Sequence, residues 1–152
     1  MAFQLFSPAF AEGADIPVLH TGDGADISPS LEWNGEPEGA RSYGLIVDDP
    51  DAPDGVWTHW LLYDIPPAVH ALSQGFRPGR LGVSGTNDFG SPGYGGPCPP
   101  KGHGRHRYRF QLLALSVESL GLPAGATRPS VDQAMQGRVL ARTQYMGRYG
   151  RL

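Results

Sequence analysis

Residues 42–65 read SYGLIVDDPDAPDGVWTHWLLYDI, two apolar stretches joined by a short run of carboxylates and prolines. The first, residues 42–48, is apolar almost without interruption, the pattern of a strand covered on both faces. The second, residues 57–65, has a period of two. It is expected to place Trp57, His59, Leu61, Tyr63 and Ile65 on one face, and Thr58, Trp60, Leu62 and Asp64 on the other. A third strand is expected over residues 105–115, RHRYRFQLLAL, where His106, Tyr108, Phe110, Leu112 and Ala114 alternate with Arg107, Arg109 and Gln111. Short apolar stretches of this kind, separated by Gly, Pro, Asn and Asp, define a mainly β fold.

The rest of the chain fits that reading. Its 152 residues suit one domain, residues 1–152. An apolar content of 39% against 18% charged is core-rich enough to exclude a disordered chain. The 22 glycines and 15 prolines call for many turns and little helix. One helix is expected near the C-terminus, after Pro129, with Ser130 as N-cap and Gln133 completing a capping box. Val131, Ala134, Met135 and Val139 fall at helical spacing, and Gly137 weakens that helix. Residues 147–152 receive no assignment.

Several classes of function are excluded by composition. No apolar run approaches the roughly 20 residues of a membrane span. The N-terminal MAFQLFSPAFAEG has no basic start and is broken by Gln4, Ser7 and Pro8, so a cytoplasmic protein is expected. Cys98 is the only cysteine, which rules out an internal disulfide and a thiolate metal cluster and leaves a small, partly buried loop residue. Residues 1–64 hold twelve acids and one base, Arg41, whereas residues 65–152 hold eleven bases and three acids. The bases are dispersed, so the two halves are expected to pair with each other, and no nucleic-acid partner is expected.

Three features carry chemistry. The loop within residues 48–60, DDPDAPDGVWTHW, is rich in carboxylates, stiffened by Pro50 and Pro53 and followed by His59. Rigid strands presenting a loop are where functional residues concentrate, although Asp49 and Asp51 also suit plain turns. The second is residues 85–104, GTNDFGSPGYGGPCPPKGHG, in which seven glycines and four prolines fill eleven of twenty positions. It reads either as a rigid crossover or as a loop whose amides approach an anion. The third is His106-x-Tyr108, which sets both side chains on one face about 6.6 Å apart. With His59 also near a strand start, two imidazoles and a phenol can meet at one sheet end, although each alone also suits a satisfied core position.

These motifs resemble the phosphatidylethanolamine-binding protein (PEBP) family, in particular its short bacterial and archaeal branch, often called Raf-kinase-inhibitor-like. The resemblance is carried by DPDAP followed by His-Trp, then by GYGGPCPPKGHGRHRY. It extends to SPAF near the start, Ser28-Pro29 with Leu31-Glu32-Trp33, Asn87-Asp88-Phe89-Gly90, and a Gly-x-Tyr element closing the C-terminal helix. The fold it implies is a β-sandwich with a large antiparallel sheet, long Gly/Pro-rich loops and a C-terminal helix. The function it implies is capture of an anion, typically a phosphate group, in a small pocket at one sheet end. Carried over residue by residue, that pocket comprises Asp49, Asp51, Pro53, His59, Gly96, Pro100, His106 and Tyr108, with Arg107 inside the His-Arg-Tyr triplet. Animal members have a second histidine where this chain has Thr58, together with a longer C-terminal region, so kinase inhibition does not transfer with the pocket.

The partner this reading implies is a phosphate-containing small molecule, such as a phospholipid head group or nucleotide, or a phosphorylated protein, and a homodimer is compatible with the bacterial branch. No cofactor and no metal are expected. Competing readings use the same residues. A hydrolase would take His59 or His106 as general base with Asp49 orienting it, but no G-x-S-x-G elbow is present. A metal site would draw on Asp49, Asp51, His59, His103 and His106, which lack a close ligand pair. Modulation of a protein kinase or protease through the pocket is a further alternative.

Overall fold

The structure is a computed structural model that describes residues 2–152. Two antiparallel sheets pack face to face. The smaller contains β1 (Gln4–Phe6), β2 (Leu31–Asn34) and β5 (Ala71–Leu72) in the order β1-β2-β5. The larger contains β3 (Ser42–Asp49), β4 (Trp57–Ile65), β6 (Val83–Ser84), β7 (His106–Leu115) and β8 (Val139–Tyr149), in the order β6-β4-β3-β7-β8. One α-helix among the described residues, α1 (Arg128–Met135), lies on the outer face of the larger sheet.

β3 is central and all eight of its residues are buried, which explains its unbroken apolar pattern. Tyr43, Leu45 and Val47 join Trp33, Trp60, Leu62, Tyr108 and Phe110 in the core between the sheets. Ile46, Leu61, Tyr63 and Leu113 form a second core with Val131 and Met135 of α1. A sheet covered on both faces has two apolar surfaces to hide, and here a second sheet hides one and a helix the other.

Several elements differ from the expectation. The helix starts at Arg128 with Thr127 as N-cap, so Pro129 sits in its first turn, where its missing N–H costs nothing, and Ser130 is already helical. The Ser130–Gln133 capping box therefore does not form. α1 ends at Met135, and Gly137 at φ 75° turns the chain into β8. Val139 thus opens a strand instead of extending the helix, and the Gly147-Arg148-Tyr149 element lies in β8, paired with Tyr108, Arg107 and His106. Ile65 faces the inter-sheet core, away from Leu61 and Tyr63, because Asp64 at φ 56° reverses the alternation.

Ion pairs bind the acidic first half to the basic second half: Arg105 to Asp15, Arg151 to Asp23, Arg107 to Asp51, and Arg109 and Arg128 to Asp48. No helix among the described residues is long and apolar enough to cross a membrane.

Candidate functional site

The end of the larger sheet where β3 finishes and β7 begins gathers the chemistry. Asp49 is the last residue of β3, and His106 and Tyr108 are the first and third of β7, all buried. His106 Nδ1 lies 2.6 Å from Asp49 Oδ2, and both side chains are almost wholly enclosed. A carboxylate only accepts, so this nitrogen carries the proton. The other Asp49 oxygen accepts the backbone N–H of Asp51 at 2.8 Å. Asp49 is therefore both a turn-closing residue and the orienting partner of an imidazole.

His59 reaches the same place through a β-bulge. Val47 faces Trp60 while Asp48 faces Thr58, so His59 is an extra residue on β4 with no partner opposite. Bulges re-aim side chains, and this one sets Thr58 and Trp60 on opposite faces of the sheet, where strict alternation would keep them together. The His59 ring meets Tyr108 edge-on at 5.2 Å between centroids and Phe89 at 5.4 Å. Its Nδ1 donates to the Gly95 carbonyl at 2.7 Å. Burial holds the His59 pKa below the ordinary histidine value, the Gly95 contact opposing only in part. At neutral pH the ring is uncharged and Nε2 presents a lone pair.

The Tyr108 hydroxyl is buried and has no hydrogen-bond partner among the described residues. Burial, reinforced by the Asp49 carboxylate, raises its pKa far above the ordinary tyrosine value, so it remains a donor. These groups open onto a cavity of about 180 Å³ lined by Asp49, Pro53, Trp57, His59, Phe89, Cys98, Pro100, His106 and Tyr108, with Ala52, Asp54 and Pro99.

Of the residues singled out in the sequence, Asp49, Pro53, His59, Pro100, His106 and Tyr108 all meet at this cavity. Asp51 stands behind it. Its carboxylate takes the Arg107 side chain in a two-pronged pair at 2.8 and 3.0 Å and the Arg107 backbone N–H at 2.9 Å. That hydrogen-bonded pair lowers its pKa to about 2. Asp51 thus ties the β3–β4 loop to β7.

Gly96 does not itself line the cavity, although its backbone lies against the His59 ring. Its N–H donates to Asp26 Oδ1 at 2.7 Å, and a Cβ there would lie 2.3 Å from the His20 carbonyl oxygen, so glycine is required for packing. Cys98 is exposed rather than partly buried, and it lines the cavity. Sequence reasoning missed Trp57 and Phe89 as wall residues, although Trp57 shares the period-two face that contains His59. It also missed the role of His103, whose Nδ1 lies 2.5 Å from His106 Nε2. One proton must sit between those two nitrogens, since two lone pairs would repel.

Fold and site define the class: a two-sheet β-sandwich with an outer helix, whose larger sheet ends in a small aspartate–histidine–tyrosine pocket. A family model described as phosphatidylethanolamine-binding protein matches residues 6–150, and the chain belongs to that family. A UPF0098 protein of Aquifex aeolicus is 52% identical over 151 residues, covering 97% of this chain and 88% of the relative. The crystal structure of a PEBP homologue from Chlamydia trachomatis superposes with a TM-score of 0.92 at 39% identity, covering 99% of both chains. A candidate lipoprotein of Mycobacterium tuberculosis is 42% identical over 143 residues, covering 94% of this chain and 70% of that protein.

Proposed function

We propose that this protein is a binding protein for a small anion bearing a phosphate group, held in the cavity between Asp49, His59, His106 and Tyr108. The observation that carries this reading is the Tyr108 hydroxyl, a buried donor left without a protein partner in a cavity walled by two imidazoles. Leaving such a group unsatisfied costs about 1–3 kcal/mol, which a ligand oxygen would recover.

The Asp49 charge is felt at the Tyr108 hydroxyl, but its oxygens are not presented bare to a ligand. Both of its oxygens are engaged, one by His106 and one by the Asp51 amide, so the carboxylate polarises the imidazole rather than facing the ligand bare. Pro53 and Pro100 stiffen the two loops at the rim, so little ordering is required on binding. His59 becomes a donor through Nε2 once protonated, and an anion nearby favours that state.

Membership of a family described by phosphatidylethanolamine binding supports a binding role. Free head group, nucleotide and phosphorylated protein share the phosphate chemistry. An amide chemical-shift titration with inorganic phosphate and with phosphoethanolamine tests the reading. Shifts centred on Asp49, His59, His106 and Tyr108 are expected, and resonances that stay still at millimolar ligand would overturn it.

A further inference from the structure

Cys98 is exposed and is one of the residues that line the same cavity, together with Tyr108, whose buried hydroxyl has no hydrogen-bond partner among the described residues. Its place is fixed from several sides. Pro97 and Pro99 flank it in the chain, the Pro97 carbonyl accepts the Gly22 N–H at 2.8 Å, and the sulfur would lie 3.2 Å from a Cβ built on Gly22. The sulfur also lies 3.8 Å from Arg151 Nη1, a cation anchored to Asp23 at 3.0 Å. An accessible thiol can meet a small-molecule disulfide from solution.

We propose that Cys98 is a modification site for small-molecule disulfides, and that the resulting mixed disulfide fills the anion cavity. The thiolate attacks one sulfur of the disulfide, the new Cys98 sulfur–sulfur bond forms as the old one breaks, and one thiolate leaves. No further oxidant enters. The chain has no second cysteine, so the adduct cannot be resolved internally and persists until an external thiol removes it. The site is thereby blocked or opened by the thiol–disulfide balance around the protein. That consequence for ligand capture rests on the anion-binding reading above, whereas the modification itself does not.

The probe is glutathione disulfide, applied to the full chain and followed by intact mass and by amide resonances. One glutathione adduct is expected, with movement of the His59, His106 and Tyr108 resonances, reversal by dithiothreitol, and at least tenfold weaker binding of inorganic phosphate while the adduct is present. Cys98→Ser should take no adduct and show none of these shifts. The proposal is overturned if no adduct forms under conditions that fully convert a cysteine-containing peptide, or if the adduct forms and the cavity resonances stay in place. Should unmodified protein fail to bind phosphate while the adduct still moves those resonances, the anion reading falls and the modification site stands.

Discussion

Asp48 and Asp49 are consecutive residues of β3 whose carboxylates serve opposite faces of the sheet. Asp49 turns to the cavity and holds His106, while Asp48, fully buried, turns to the helix side and holds two arginines. Arg109, its direct neighbour across β7, donates to both oxygens at 2.7 and 3.0 Å. Arg128 of α1 adds a bond at 3.2 Å while also reaching Thr58 and Asp132. One strand end thus anchors the helix behind the site and orients the imidazole within it.

Removing the buried charge strands two guanidinium groups, so Asp48→Ala should cost about 3 kcal/mol of stability. Both arginines are partly exposed and can turn to water, which keeps the loss at the lower end of the range for a broken buried pair. Urea unfolding measures it: the midpoint should fall with little change in slope. An unchanged midpoint would show that the network does not anchor α1.

His103 occupies the His106 nitrogen that the proposed ligand would use. Its Nδ1 occupies His106 Nε2, and it rides on an exposed turn closed by its own N–H to the Pro100 carbonyl. A ligand oxygen that uses Nε2 must first displace this ring. His103→Ala should therefore tighten binding of inorganic phosphate about three- to tenfold by removing that cost. Weaker binding in the variant would mean that His103 contributes its own contact to the ligand.

How far the sequence shows this depends on whether the signal is local. β3, β4 and β7 are legible because burial on one or both faces writes itself into residues 42–65 and 105–115. β8 is not, because as an edge strand it leaves Arg142, Gln144 and Arg148 exposed, and Val139 happens to fall in phase with Met135. The pattern puts His59 near the site but hides its bulge, since nothing in WTHW distinguishes an extra residue from regular alternation. The task of Gly96 depends on Asp26, seventy residues away, which no local pattern reports.

Gly96→Ala tests that structural role. A Cβ would press on the His20 carbonyl oxygen at 2.3 Å and on Asp26 Oδ1 at 2.5 Å, and the backbone has little room to yield. A loss of about 1–3 kcal/mol is expected from this overpacking, read from the denaturation midpoint. Retention of full stability would show that the loop shifts freely, and that the Asp26 contact does not hold it.

Protonation of His59 should make anion binding depend on pH in one direction. In the free protein burial holds its pKa below the ordinary 6.5, so the ring is neutral at pH 7 and Nε2 can only accept. A bound anion stabilises the charged ring and raises that pKa, so binding takes up a proton wherever pH lies between the free and bound values. Affinity should then rise as pH falls through this window, by at most about tenfold per unit for one proton, and level off below the free value. Sulfate is the suitable probe because, unlike phosphate, it does not itself titrate between about pH 5 and 8. Calorimetry in two buffers of different ionisation enthalpy counts the protons directly. His59→Gln should abolish the uptake contributed by this ring. A sulfate affinity that is flat across the range would remove His59 from the set of donors.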